Sequence, residues 1–257
     1  MAIEEIKIGA LATLVGPYAA GGQDGLRGFD MAVAEFGGQI AGKKLTVFKE
    51  GTNAMPEDAE GMADVLMEQY QVDFMIAPLS GDEGLAIRDY AKRYPTKTFI
   101  NGIAGAQDIT LRNPAPNFFS FTSNGVQWIS GLAEYVYKVQ GYKQVVTLAE
   151  DYSYPHGQVA GFSLQFCKIG GKIIKRYWVP LGTDDYSAIV ADIPAQVDAI
   201  FLALGGTDAI NFLKQYDATS RQTPLIGGTL SADQTVLGIR GTLSDRLAGM
   251  ATCGPIA

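Results

Sequence analysis

The chain has one histidine, two cysteines and no apolar run approaching the ~20 residues that a membrane-spanning helix needs. Cys167 and Cys253 stand far apart, with neither a CxxC pair nor histidines at ligand spacing, so no disulfide framework, zinc site or other metal is expected. Lys and Arg number 20 against 27 Asp and Glu, a net charge of −7 with scattered signs. Without a basic stripe, nucleic acid is not an expected partner. The glycine signatures of nucleotide enzymes are missing too, so a nucleotide enzyme is not expected. Gly16, Gly21 and Gly22 lack the GxGxxG spacing, and no Gly-Lys-Ser/Thr phosphate loop occurs. His156 lies near Asp151 and Ser153, but no GxSxG elbow accompanies them, and nearness in sequence is not triad geometry. No enzymatic activity is expected. Met1-Ala2-Ile3-Glu4-Glu5 has neither the basic nor the apolar region of a signal peptide, which fits a mature domain behind an expression start or a cytoplasmic protein. No cysteine at the start suggests a lipid anchor.

What is present is alternation. Strand-like runs at Ile6–Ala12, Leu45–Glu50, Val72–Pro78 and Thr98–Ile100 are interleaved with helical segments at Gly25–Phe36, Pro56–Tyr70 and Asp82–Tyr94. Pro56 suits the first helical position, and Ser80-Gly81-Asp82-Glu83 fits a capping box. Gln107–Phe121, with Pro114 and Pro116, reads as a long surface excursion ending in the strand Phe118–Phe121. The alternation then restarts with helices at Val126–Gln140, Gly157–Ile169, Tyr186–Ile193 and Thr207–Ala218. Its strands are Gln144–Ala149, Lys172–Val179, Ala199–Leu204, Pro224–Ile226 and Leu247–Thr252. Such a pattern predicts an α/β fold of two doubly wound lobes with mostly parallel sheets and a ligand cleft between them. The expected division is residues 1–121 for the first lobe, 122–250 for the second and 251–257 for a crossover back to the first.

In open parallel sheets, ligands bind beyond the carboxyl ends of strands, where helix N-termini face the crevice. Leu14–Gly22, carrying Tyr18, and Leu79–Gly84 are therefore the leading candidate loops, and Asn101–Gly105 is a third. After Gln144–Ala149, Tyr152 and Tyr154 add aromatic area of the kind that lines small-molecule pockets. Asp151 and His156 read equally well as loop and cap residues. The acid pairs Asp184-Asp185 and Asp82-Glu83 are most simply helix N-terminal charges.

Ile6-Lys7-Ile8-Gly9, Gly16-Pro17, Pro78-Leu79-Ser80-Gly81, the run Val179–Ser187, Val197-Asp198-Ala199-Ile200 and Pro224-Leu225-Ile226-Gly227-Gly228 occur in an order that resembles a known family. The chain is similar to the periplasmic solute-binding proteins of branched-chain amino acid type ABC transporters, along essentially its whole length. That resemblance implies a type I periplasmic binding fold closing on a small organic solute for a membrane permease, a periplasmic location, no cofactor, and a monomer if the chain is complete in the cell. It also implies ligand contacts at Tyr18, Leu79, Ser80, Gly81, Asp82, Ala104, Gly105, Tyr152, Tyr154, His156, Gly206, Thr207 and Thr229.

Three departures from the family pattern matter, two of them for the solute. Amino acid binders tend to carry hydroxyl side chains where this chain has Gly81 and Gly105, and an acid where it has Thr229. An α-ammonium would then be desolvated without a counter-charge, which is costly. The expected solute is an aromatic or other organic carboxylate, although Asp82 beside an anion site counts against it. A branched-chain or other amino acid or amide is the alternative, and a cytoplasmic ligand sensor on the same fold is another. Finally, relatives continue past Ala257 to complete the first lobe. An unfinished lobe would expose apolar surface, with weak stability or association as the consequence.

Overall fold

The computed structural model describes residues 5–239, 247 and 249–252. The chain divides into two compact units, Met1–Ser123 and Asn124–Ala257. In the first, the strands are β1 (Glu5–Thr13), β2 (Gln39–Ile40), β3 (Lys43–Thr52), β4 (Phe74–Ile76), β5 (Thr98–Asn101) and β6 (Phe118–Ser120), and the helices are α1 (Ala19–Glu35), α2 (Pro56–Asp64) and α3 (Gly81–Ala91). The sheet order is β2-β3-β1-β4-β5-β6, parallel throughout except for the short β2–β3 pair. From β1 the chain goes to β3 on one side, then crosses to β4 on the other. The strand order therefore reverses at β1/β4, where the following loops splay apart.

The core of this unit packs Leu66, Met75, Ile87, Tyr90, Phe99 and Phe118 under α2 and α3. α2 ends in a π-helical turn, Val65–Gln69, which buries Leu66 and Met67. On α1 the only buried residue is Gly22, while Met31 and Phe36 are exposed, as are Phe119 and Phe121 at the far edge of the sheet. The segment expected as a surface excursion is anchored instead. Ile109 and Ala115 are buried, and Gly84 of α3 has no room for a side chain because a Cβ there would lie 2.8 Å from Ile109 Cδ1. Asn117 Nδ2 donates to the carbonyls of Ala91, Tyr94 and Lys97 at 2.9, 3.0 and 2.9 Å. Replacing it by alanine would remove one donor from three buried or half-buried carbonyls, two of which keep a main-chain donor, and Asn117→Ala is expected to cost about 2 kcal/mol. Urea denaturation showing a loss below about 0.5 kcal/mol would contradict that, since this is the range of a neutral surface change.

The second unit contains β7 (Gln144–Glu150), β8 (Lys172–Val179), β9 (Ala199–Ala203), β10 (Leu225–Gly227) and β11 (Ala251–Thr252), in the all-parallel order β11-β10-β9-β7-β8. Its helices are α4 (Gly125–Trp128), α5 (Leu132–Lys138), α6 (Ser153–Lys168), α7 (Ser187–Asp192), α8 (Gly206–Asp217) and α9 (Gln234–Leu237). The strands β7 and β9 are buried on both faces, which is why they read as continuous apolar runs. Val146, Leu148, Ile200 and Leu202 meet Tyr186, Phe212 and Tyr216 on one side. On the other, Val145, Ala149, Phe201 and Ala203 meet Phe162 and Phe166. Here the order reverses at β7/β9.

Several boundaries differ from expectation. The single helix expected over Val126–Gln140 is two, split by Gly131 at φ 86°, a left-handed value that ends one helix and starts the next. Residues 251–252 pair with β10 as the edge strand of the second sheet. Leu247 is helical rather than strand, and residues 253–257, with Cys253, lie outside the described residues. No helix among the described residues is long and apolar enough to cross a membrane.

Candidate functional site

In the first unit the loop after β1 is shorter than expected, because α1 already begins at Ala19. Gly22, expected in the loop, is helical and packs its bare Cα face on the last turn of β1: a Cβ there would stand 1.8 Å from the Thr13 carbonyl oxygen. Tyr18 occupies the N-cap position and is buried at 4 % exposure. After β4, Ser80 caps α3 as its spacing predicts. Its Oγ accepts from the Glu83 N–H at 3.2 Å, and Glu83 Oε2 accepts from the Ser80 N–H at 3.0 Å. That same oxygen accepts from Thr13 Oγ1 at 2.8 Å, so the fully buried Glu83 ties the end of β1 to the head of α3. Ser80 Oγ donates to the Ala54 carbonyl beyond β3 at 3.0 Å. The end of β1, the turn after β3 and the head of α3 are thus one hydrogen-bonded assembly. Leu79 and Asp82 are half-buried, and Gly81 is buried. Ala104 and Gly105 are also buried, their loop held by Asn101 Nδ2 donating to the Ala104 carbonyl at 2.7 Å.

The second unit brings together residues that the sequence separates widely. Tyr152 is the N-cap of α6 and is buried, so Tyr154 and His156 lie in the first helical turn rather than before it. Tyr154 OH and Thr229 Oγ1 are 2.6 Å apart. Gln158, one turn beyond Tyr154 on the same helix face, donates from Nε2 to Thr229 Oγ1 at 3.0 Å and accepts the Thr229 N–H on Oε1 at 3.2 Å. All three are buried. Burial pushes the Tyr154 phenol above its ordinary pKa, while its bonds with Thr229 and Gln158 pull it back. Gly228 makes the approach possible, since a Cβ there would meet Gln158 Oε1 at 2.4 Å and the Leu202 carbonyl oxygen at 2.7 Å.

His156 has partners outside this cluster. Its Nε2 meets Asp151 Oδ1 at 2.8 Å on the exposed surface, and its ring lies edge-on to Trp178. Gly206 is buried and opens α8 at φ 49°, whereas Thr207 is exposed. Beneath them, Glu150 at the end of β7 is fully buried and accepts the Gly205 N–H at 3.1 Å. Asp208, 1 % exposed, accepts the Gly182 N–H at 2.7 Å. No cluster of three or more His, Cys, Asp or Glu stands together as metal ligands among the described residues.

Gln158, Glu83, Glu150 and Asp208 were not sequence candidates for this role. Gln158 was findable: once α6 starts at Ser153, it falls four residues after Tyr154, the spacing that places two side chains on one helix face.

A family model described as periplasmic binding protein matches residues 5–255. The chain belongs to that family. Its likenesses are to solute-binding proteins of ABC transporters of the branched-chain type. An ABC transporter substrate-binding protein from Sphaerobacter thermophilus is 31 % identical at a TM-score of 0.80, over 93 % of this chain and 67 % of its own. The solute-binding protein of a Rhodopseudomonas palustris ABC transporter, crystallised with benzoate, is 25 % identical at a TM-score of 0.83, over 90 % of this chain and 64 % of its own. The Leu/Ile/Val-binding protein homolog 6 of Brucella melitensis is 25 % identical over 215 residues, 82 % of this chain and 54 % of that protein. The chain thus spans about half the length of the curated relatives it matches.

Proposed function

We propose that this periplasmic binding protein chain carries the solute-holding loops of an extracytoplasmic ABC importer component, with no catalytic role, and that its solute is an aromatic or other small organic carboxylate. The observation that carries the reading is the buried Tyr154–Thr229–Gln158 cluster, three neutral groups where an amino acid binder would need a counter-charge for the ammonium. A buried ammonium without a partner costs several kcal/mol, whereas a carboxylate can be met by hydroxyls and by the N–H groups at the heads of helices. Likeness to a protein that was crystallised with benzoate supports the same class. Membership of the family supports delivery to a membrane permease. The His156–Asp151 pair fits a brace at the start of α6, and His156→Ala is accordingly expected to leave solute affinity within a few-fold.

A thermal-shift screen tests the reading. A ligand that binds only the native state stabilises by RT ln(1 + [L]/Kd), about 2.7 kcal/mol at a hundredfold excess over Kd. Benzoate and hydroxybenzoates are expected to raise the melting temperature by several degrees, and leucine and valine to leave it unchanged. The reverse pattern would replace the proposal with amino acid binding, the reading that the names of the Brucella relatives favour.

A further inference from the structure

We propose that Gln158 sets the chemistry that this site accepts. It locks the Tyr154–Thr229 hydroxyl pair into a single outward hydrogen-bond donor. A solute that meets the pair with an acceptor, such as a carboxylate oxygen, is selected, and one that meets it with an ammonium is rejected. This deepens the carboxylate reading above and rests on it.

The argument is a count of protons. The Thr229 N–H donates to Gln158 Oε1, which fixes the orientation of the amide, so its NH2 end is the one facing Thr229 Oγ1. Gln158 therefore gives the hydroxyl pair protons and leaves its oxygen occupied by the main chain. Tyr154 and Thr229 bring two hydroxyl protons of their own. Their 2.6 Å contact consumes one, whichever oxygen donates. One O–H is left over, and among the described residues the two hydroxyls are partnered only by each other and by Gln158. With Tyr154 at 8 % exposure and Thr229 at 4 %, water offers that last proton little. A buried donor left unmet is costly, and a solute oxygen relieves it. An ammonium has only donors and would leave that O–H unmet. An acceptor at 158 would let the spare O–H turn inward, and the Gln158 NH2 closes that direction.

Gln158→Glu tests this with almost no change of shape. A carboxylate at 158 can still accept the Thr229 N–H, but its second oxygen also accepts. The Thr229 hydroxyl then donates inward, Tyr154 donates to Thr229, and no proton points out. Titration calorimetry with benzoate and with benzylamine, on wild type and variant, is expected to show benzoate at least tenfold weaker and benzylamine at least tenfold tighter in Gln158→Glu. Gln158→Met, neutral and without an amide, is expected to weaken benzoate several-fold with no gain for benzylamine. A purely structural role would weaken both ligands alike. If Gln158→Glu binds benzoate within threefold of wild type, the inference fails while the carboxylate reading stands. Should that variant not fold, the same result from Gln158→Met overturns it. Wild type that takes leucine or valine and no benzoate overturns the carboxylate reading, and the inference with it.

Discussion

Gly22→Ala is expected to destabilise the first unit by at least about 3 kcal/mol, at or above the upper end of ordinary overpacking. The new methyl would lie 1.8 Å from the Thr13 carbonyl oxygen and 2.6 Å from its carbon, far inside the ~3.5 Å of a comfortable contact. Neither side can give way cheaply. Thr13 is held in register against Thr52 of β3, and its hydroxyl is committed to Glu83, so moving it would also disturb the head of α3. The neighbouring glycines supply the control. Gly25 and Gly28 lie on the same helix with nothing within 4 Å of a built Cβ, so alanine there should stabilise by roughly 0.5–1 kcal/mol through helix propensity and unfolded-chain entropy. Both tryptophans, Trp128 and Trp178, belong to the second unit. Urea denaturation of Gly22→Ala should therefore show the far-ultraviolet transition moving to lower denaturant while the tryptophan transition stays, a split that two-state unfolding forbids. A Gly22→Ala transition within about 1 kcal/mol of wild type by both probes would refute the close approach.

That close approach also explains what could be read from the sequence and what could not. The alternation of strands and helices was legible, because doubly buried parallel strands such as β7 and β9 are unbroken apolar runs whatever surrounds them. The start of α1 was not. Gly21, Gly22, Gly25 and Gly28 lower the helix propensity of the segment, and the packing of Gly22 on Thr13 shows why the helix carries a glycine at that one position. Pro155 hid the start of α6 in the same way, although a proline in the first helical turn loses no intrahelical bond. The capping box at Ser80 was legible because it spans three residues. The bond from Thr13 to Glu83 crosses 70 residues and the one from Gln158 to Thr229 crosses 71, and no local pattern announces either. Local spacing thus marks where a helix begins. The chemistry presented at that beginning is set by what the sheet order brings beside it.

The buried acids behind the α8 loop make the second large effect a matter of pH. Asp208 lies in the first turn of α8, where the helix dipole favours a negative charge and the N–H groups of Gly182 and Thr183 bond to it. Burial outweighs both and, with Asp184 adding repulsion, pushes its pKa up to about 6. The same surroundings push the buried Tyr186 phenol upward, first through desolvation and then through the charges of Asp208 and Glu150. Asp208 Oδ1 has no hydrogen-bond partner among the described residues, so ionisation places charge on an oxygen that no described donor meets. In the unfolded chain the group titrates near its ordinary value of about 3.9, so the native state holds this proton more tightly. Its contribution to stability is therefore fully present below about pH 4 and is lost as pH rises through 6, a swing of about 2–3 kcal/mol at 1.36 kcal/mol per pKa unit. Paired carboxylates elsewhere lose stability in the opposite direction, so the raw profile of the wild type mixes the two. Asp208→Asn separates them, since it keeps an oxygen for the Gly182 N–H and cannot ionise. Tryptophan-monitored urea denaturation from pH 4 to 7 should show Asp208→Asn gaining about 2–3 kcal/mol on wild type across the range, with most of the change between pH 4 and 6. Parallel profiles for the two proteins would mean that Asp208 is charged without penalty in the native state, and that some further donor reaches Oδ1.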